Sequence, residues 1–103
     1  MKFIIFILEL EVANLQRNRS QCIVIRNNKI LMAKHCKNGL EWRCLPGGAI
    51  EEGESPEQAA LRELNEECCV KGVIIKKTCE YIDPFTQGDC HTFWVEIGDQ
   101  ERF

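Results

Sequence analysis

The chain has 103 residues, 45% of them hydrophobic and 28% charged, proportions that suit one ordinary globular domain built on a single core. A formal net charge of −3 argues against a nucleic-acid polymer or an anionic membrane as the main partner. Seven cysteines with no C-x-x-C pair argue against a zinc site and for free thiols in a reducing cytoplasm.

The opening segment, MKFIIFILELEV, carries an apolar run from Phe3 to Leu8 that Glu9 ends. A secretory h-region needs about 7–15 apolar residues and a membrane span about 20. The alternation of Leu8, Leu10 and Val12 with Glu9 and Glu11 reads instead as a strand, one that should be buried or paired. CIVIRNNKILMAK reads as two strands around Asn27-Asn28, because asparagine tolerates the positive φ of a two-residue hairpin. Lys37-Asn38-Gly39 marks a second turn, and EWRCL is a short strand leading into Pro46-Gly47-Gly48. That glycine pair is expected in a loop whose backbone can approach a ligand closely.

A helix follows with clear start signals. Ser55 can cap it, Pro56 suits its first position, and Gln58 completes a capping box, which predicts a helix from Pro56 to about Cys68. VKGVIIKKTCEYI reads as a strand, residues 83–89 as a turn around Pro84 and Gly88, and CHTFWVEI as the next strand. These elements predict an α+β domain in which a mixed sheet carries one helix and leaves its other face uncovered.

The charges on that helix need an explanation. At about 100° per residue, Glu66 and Glu67 fall roughly 60° and 40° to either side of Glu63, so three carboxylates share one arc. Leu61, Leu64 and Cys68 form a separate stripe for the sheet, while Ala59 and Ala60 are small enough to admit a loop or ligand. Like charges at these spacings repel by a few tenths of a kcal/mol per pair. Converging carboxylates without interleaved lysines suit a hard divalent cation such as Mg²⁺, although a solvated acidic face remains open on the helix alone.

Gly48, Glu54, Arg62, Glu63, Leu64, Glu66, Glu67 and Val70 match the pattern G-x5-E-x7-R-E-U-x-E-E-x-G-U, where U is a bulky aliphatic residue. Six matches to its fixed glycine, glutamate and arginine positions would arise by chance with odds on the order of 10⁻⁵. The segment therefore resembles the Nudix box, and the chain is similar to Nudix hydrolases, whose fold is an α/β/α sandwich. The resemblance implies hydrolysis of a nucleoside diphosphate derivative, a small molecule, with Mg²⁺ or Mn²⁺. It implies Glu63 and Glu67 as main metal ligands, Glu66 as a further ligand or water-positioning base, and the Gly48 carbonyl as a completing ligand. Gly47 and Gly48 would face the substrate. Glu54 would pair with Arg62, fixing the loop against the helix.

Two departures stand out. Cys69 replaces the second glycine, and a non-glycine residue in a left-handed turn costs roughly 1–2 kcal/mol. The helix is therefore expected to cover about 56–69 and to stop near Gly72. The family's domain usually continues with further strands, a second helix and an acidic loop residue, so the C-terminal part of the domain is expected to be absent. After Glu67 the acids are Glu80, Asp83, Asp89, Glu96, Asp99 and Glu101, none in a recognisable motif. A catalytically silent Nudix-fold fragment that binds or assembles, including as a homodimer, is the alternative reading. His35 and His91 read as packing or surface residues, and Trp42, Phe85 and Trp94 as packing residues that could also stack on a base.

Overall fold

The structure, a computed structural model, describes residues 18–84 and 87–98. The apolar amino-terminal run, Phe85, Asp99 and Glu101 lie outside the described residues. In chain order the elements are β1 (Arg19–Ile23), β2 (Ile25–Arg26), β3 (Lys29–Ile30), β4 (Ala33–Lys37), β5 (Leu40–Cys44), β6 (Gly47–Ala49), α1 (Pro56–Cys68), β7 (Gly72–Ile82) and β8 (Asp89–Ile97).

A four-stranded mixed sheet runs in the order β6-β1-β8-β7, and two separate hairpins, β2-β3 and β4-β5, complete the strands. β1 is the hinge of this topology, antiparallel to β6 and parallel to β8. β7 and β8 form a long antiparallel pair with two register shifts along it. Both short hairpins turn where asparagine permits positive φ: Asn27 and Asn28 at 52° and 61°, then Asn38 and Gly39 at 52° and 79°.

The core lies between α1 and one face of the sheet. Cys22 and Val24 from β1 and its exit, Leu31, Ala60 and Leu64 on the helix, Val70, Phe93 and Val95 form one buried cluster, fringed by Leu61, Cys68, Ile74 and Ile97. The leucine stripe predicted for the sheet is therefore the one that meets it. Full burial of side chains such as Leu64, Val24 and Val70 contributes about 1.5–3 kcal/mol each. Ala59 and Ala60 are completely buried, so their small size serves close helix–sheet approach and leaves no opening for a ligand. Trp94, between Phe93 and Val95 on β8, points to the opposite side and is 41% exposed. No helix among the described residues is long and apolar enough to cross a membrane.

Two expectations are corrected here. Gly47 and Gly48 do not form a loop; they are the body of β6, paired with Gln21 and Ser20 of β1. Glycine is required by crowding, since a Cβ on Gly47 would lie 2.4 Å from the Ser20 carbonyl oxygen. Nor does the helix run past Cys69. It ends at Cys68, and Cys69 takes up the left-handed conformation itself, with φ 58° and ψ 32° and its N–H donating to the Asn65 carbonyl. The thiol of Cys69 is exposed and gains nothing by burial. What offsets its roughly 1–2 kcal/mol of strain is the next residue: the turn drives Val70 into the core at 1% exposure, worth a comparable or larger amount.

Candidate active site

α1 begins where the capping box places it. The Ser55 hydroxyl accepts from the Gln58 N–H at 3.1 Å, and the Gln58 side chain accepts from the Ser55 N–H at 2.9 Å. The helix then lies across β1 and β6, which brings Arg62, Glu63 and Glu67 against the glycines of β6.

Glu67 is the most constrained of the three carboxylates. Its Oε1 accepts the Gly47 N–H at 3.1 Å. Its Oε2 is buried without a hydrogen-bond partner. His35 Nε2 approaches that oxygen to 3.5 Å, too long for a normal N–H···O bond. Burial raises the Glu67 pKa above the ordinary carboxylate value, the Gly47 N–H opposes the rise, and the nearby charge of Glu63 adds to it. Glu63 is seated directly over Gly48, where any Cβ would lie 2.6 Å from the carboxylate carbon. The second glycine of β6 therefore exists to make room for an acid.

Arg62 gathers the surrounding charge. Its Nε and Nη2 grip Glu54 at 2.7 and 3.1 Å, its Nη1 reaches Glu63 at 2.8 Å and Glu66 at 3.1 Å, and its Nη2 also donates to the Ala49 carbonyl at 2.9 Å. The guanidinium beside Glu54 holds that carboxyl below its usual range, helped by the Glu51 N–H. Glu54 in turn raises the Arg62 pKa still further above its ordinary value. Glu54 and Arg62 are thus paired, as the family resemblance implied, tying the 49–54 segment to the helix.

The structure brings Gly47, Gly48, Glu63 and Glu67 together and leaves Glu66 outside, with a 57% exposed side chain leaning on Arg62. Among the described residues no group of three His, Cys, Asp or Glu side chains closes into a ready metal cage. The donor set nonetheless fits a hard cation: two carboxylates converge, one oxygen is buried and unpartnered, and oxygen is what Mg²⁺ and Mn²⁺ take. Sequence reasoning missed His35. Its signal was the Asn38-Gly39 turn, which sets the register that faces His35 with Trp42.

His91 belongs elsewhere. Its Nδ1 lies 2.7 Å from Glu80 Oε1, with Lys77 beside both, on β7 and β8. Glu80 is thereby occupied, held below the usual carboxylate range by Lys77.

The chain is similar to several known proteins. The chain is 36% identical over 65 residues to an RNA pyrophosphohydrolase of Pelagibacter ubique, covering 62% of this chain and 41% of that protein. It is 38% identical over 77 residues to an ADP-ribose pyrophosphatase of Bacillus subtilis, covering 71% of this chain and 42% of that one. The chain thus spans less than half the length of these relatives. A NUDIX hydrolase from Nitrosomonas europaea superposes with a TM-score of 0.74 at 20% identity, over 85% of this chain and 65% of its own. The model of the NUDIX domain matches residues 16–101, and the chain belongs to that family.

Proposed function

We propose that this chain is a divalent-cation-dependent pyrophosphohydrolase that cleaves the diphosphate linkage of a nucleoside diphosphate derivative. The observation that carries the reading is the pairing of Glu63 and Glu67 against Gly48 and Gly47, with one Glu67 oxygen buried and unpartnered. Two like charges held together in a partly desolvated place cost stability, and a helix that keeps them there is organised for something positive. Family membership and the pyrophosphatase activities named for the relatives support the same chemistry.

Mg²⁺ or Mn²⁺, held by Glu63 and Glu67 with Glu66 and the Gly48 carbonyl as further ligands, would neutralise the diphosphate and activate water for attack. The chain's own contribution is placement. Gly47 fixes one Glu67 oxygen and leaves the other free to bind. Gly48 leaves room for the Glu63 carboxylate to sit against β6. Arg62, anchored by Glu54 and Ala49, sets the height of Glu63 and keeps Glu66 within reach, so that Glu66 can turn inward as a ligand or a base. Rigid strand and helix on both sides hold these groups better than loops would.

The test is release of a nucleoside monophosphate from a panel of nucleoside diphosphate derivatives with and without Mg²⁺. Activity that needs the cation and disappears in Glu67→Gln supports the reading. A variant that stays fully active would remove the helix carboxylates from the chemistry. A wild-type protein that binds nucleotides without cleaving them would instead make the domain a binding module.

A further inference from the structure

We propose that Trp42, stacked on His35, is the platform on which the nucleobase of the substrate lies; this rests on the diphosphate site proposed above. The β4-β5 register places His35 directly opposite Trp42, so both rings stand on one face of the hairpin. They stack, with centroids 5.5 Å apart and planes inclined by 17°. The edge of the same His35 ring brings Nε2 to 3.5 Å from the buried Glu67 oxygen. The stacked pair therefore adjoins the Glu67 carboxylate.

Along that face the hairpin changes character. Ala33 is buried opposite Cys44, Trp42 is 46% exposed, and Leu40, opposite Lys37 at the turn, is 70% exposed. A tryptophan stacked on imidazole and still 46% exposed offers flat, apolar surface that the core does not use. Among the described residues, the other candidate aromatic, Trp94, stands on β8 facing away from the α1 side of the sheet. Each base has a π-face, so a bare indole takes bases by stacking area, without the hydrogen bonds that read their edges. The class of substrate that follows is a nucleoside diphosphate derivative with purines held better than pyrimidines, the diphosphate at Glu63 and Glu67 and the base over Trp42.

The experiment compares ADP-ribose with a ribosyl diphosphate that lacks a base. Trp42→Ala should raise KM for ADP-ribose roughly tenfold or more with kcat little changed, while leaving KM for the base-free compound alone. Trp42→Phe should fall between wild type and alanine. A readout independent of turnover uses Trp94→Phe, in which Trp42 is the sole tryptophan: titration with the α,β-methylene analogue of ADP and Mg²⁺ should quench its fluorescence. An unquenched signal, or equal KM changes for both compounds, overturns the platform. Should the wild type cleave no diphosphate at all, the proposed function fails, and the quench still decides whether a base sits on Trp42.

Discussion

Adjacent glycines in β6 carry different burdens, and the same methyl group should separate them. On Gly47 a Cβ meets backbone, the Ser20 carbonyl at 2.4 Å and Gln21 Cα at 2.8 Å, which cannot move without parting β6 from β1. On Gly48 the nearest atoms are those of the Glu63 carboxylate, the far end of a flexible side chain rather than backbone. Gly47→Ala should therefore cost about 1–3 kcal/mol and lower the melting temperature by several degrees or more. Gly48→Ala should melt close to wild type yet lose the rise in melting temperature that Mg²⁺ gives. Equal melting temperatures for the two variants would contradict this division. Glu67 supplies a second case. Its folded pKa is raised, so its carboxyl favours the fold while protonated, and that contribution fades as pH rises through the raised value. At neutral pH without a cation, Glu67→Gln keeps an acceptor for the Gly47 N–H and drops the repulsion from Glu63. The variant should then melt about 2 °C above wild type in chelator, from a few tenths of a kcal/mol of relieved repulsion. Lowering the pH should shrink that margin, and added Mg²⁺ should reverse it by stabilising only the wild type. Melts in chelator and in Mg²⁺ at two pH values check each step.

Among the elements, what could be read from the sequence was whatever is decided locally. Ser55, Pro56 and Gln58 specify the start of α1 because the cap is made by residues three apart. Asn27-Asn28 and Asn38-Gly39 specify the hairpins because the turn alone needs positive φ. The end of α1 was misjudged because the deciding energy is not local: the strain at Cys69 is outweighed by burying Val70 against residues of β1 and β8. That balance predicts a stabilising substitution. Cys69→Gly removes the left-handed penalty while keeping the turn, so it should add about 1 kcal/mol and raise the melting temperature by roughly 4–8 °C. A melting temperature that falls would mean the thiol makes a contact that its exposure denies. β6 was misread for the related reason that a strand of two glycines and an alanine has no pattern of its own and exists only because β1 lies beside it.

For the molecule as a whole, the decisive pairing joins the two ends of the described chain. β1 lies parallel to β8, Ser20 opposite His91 and Cys22 opposite Phe93, and nothing in either segment announces the other. The carboxylates and the glycine pair were legible because they lie within one short segment; the approach of His35 to Glu67 appears only once hairpin and sheet are assembled. A central β1 also makes the thiols a gauge of the entire fold. Cys22 is fully buried, and its Sγ donates to the Ala60 carbonyl at 3.2 Å. Burial first, then the proximity of Cys68 and Glu67, pushes its pKa up to about 12. Cys36, Cys69 and Cys79 are exposed. Since thiolate is the reactive form, alkylation of the native protein should mark those three quickly and leave Cys22 unmodified until the sheet opens. Opening at β1 means losing β6 on one side and β8 on the other, which is close to global unfolding. The alkylation rate of Cys22, followed by mass spectrometry, should therefore fall when Mg²⁺ raises the melting temperature, while the rate at Cys36 stays constant. Native Cys22 reacting as fast as Cys36 would show that β1 frees itself locally, and a site built on β6 could not then be held by the sheet.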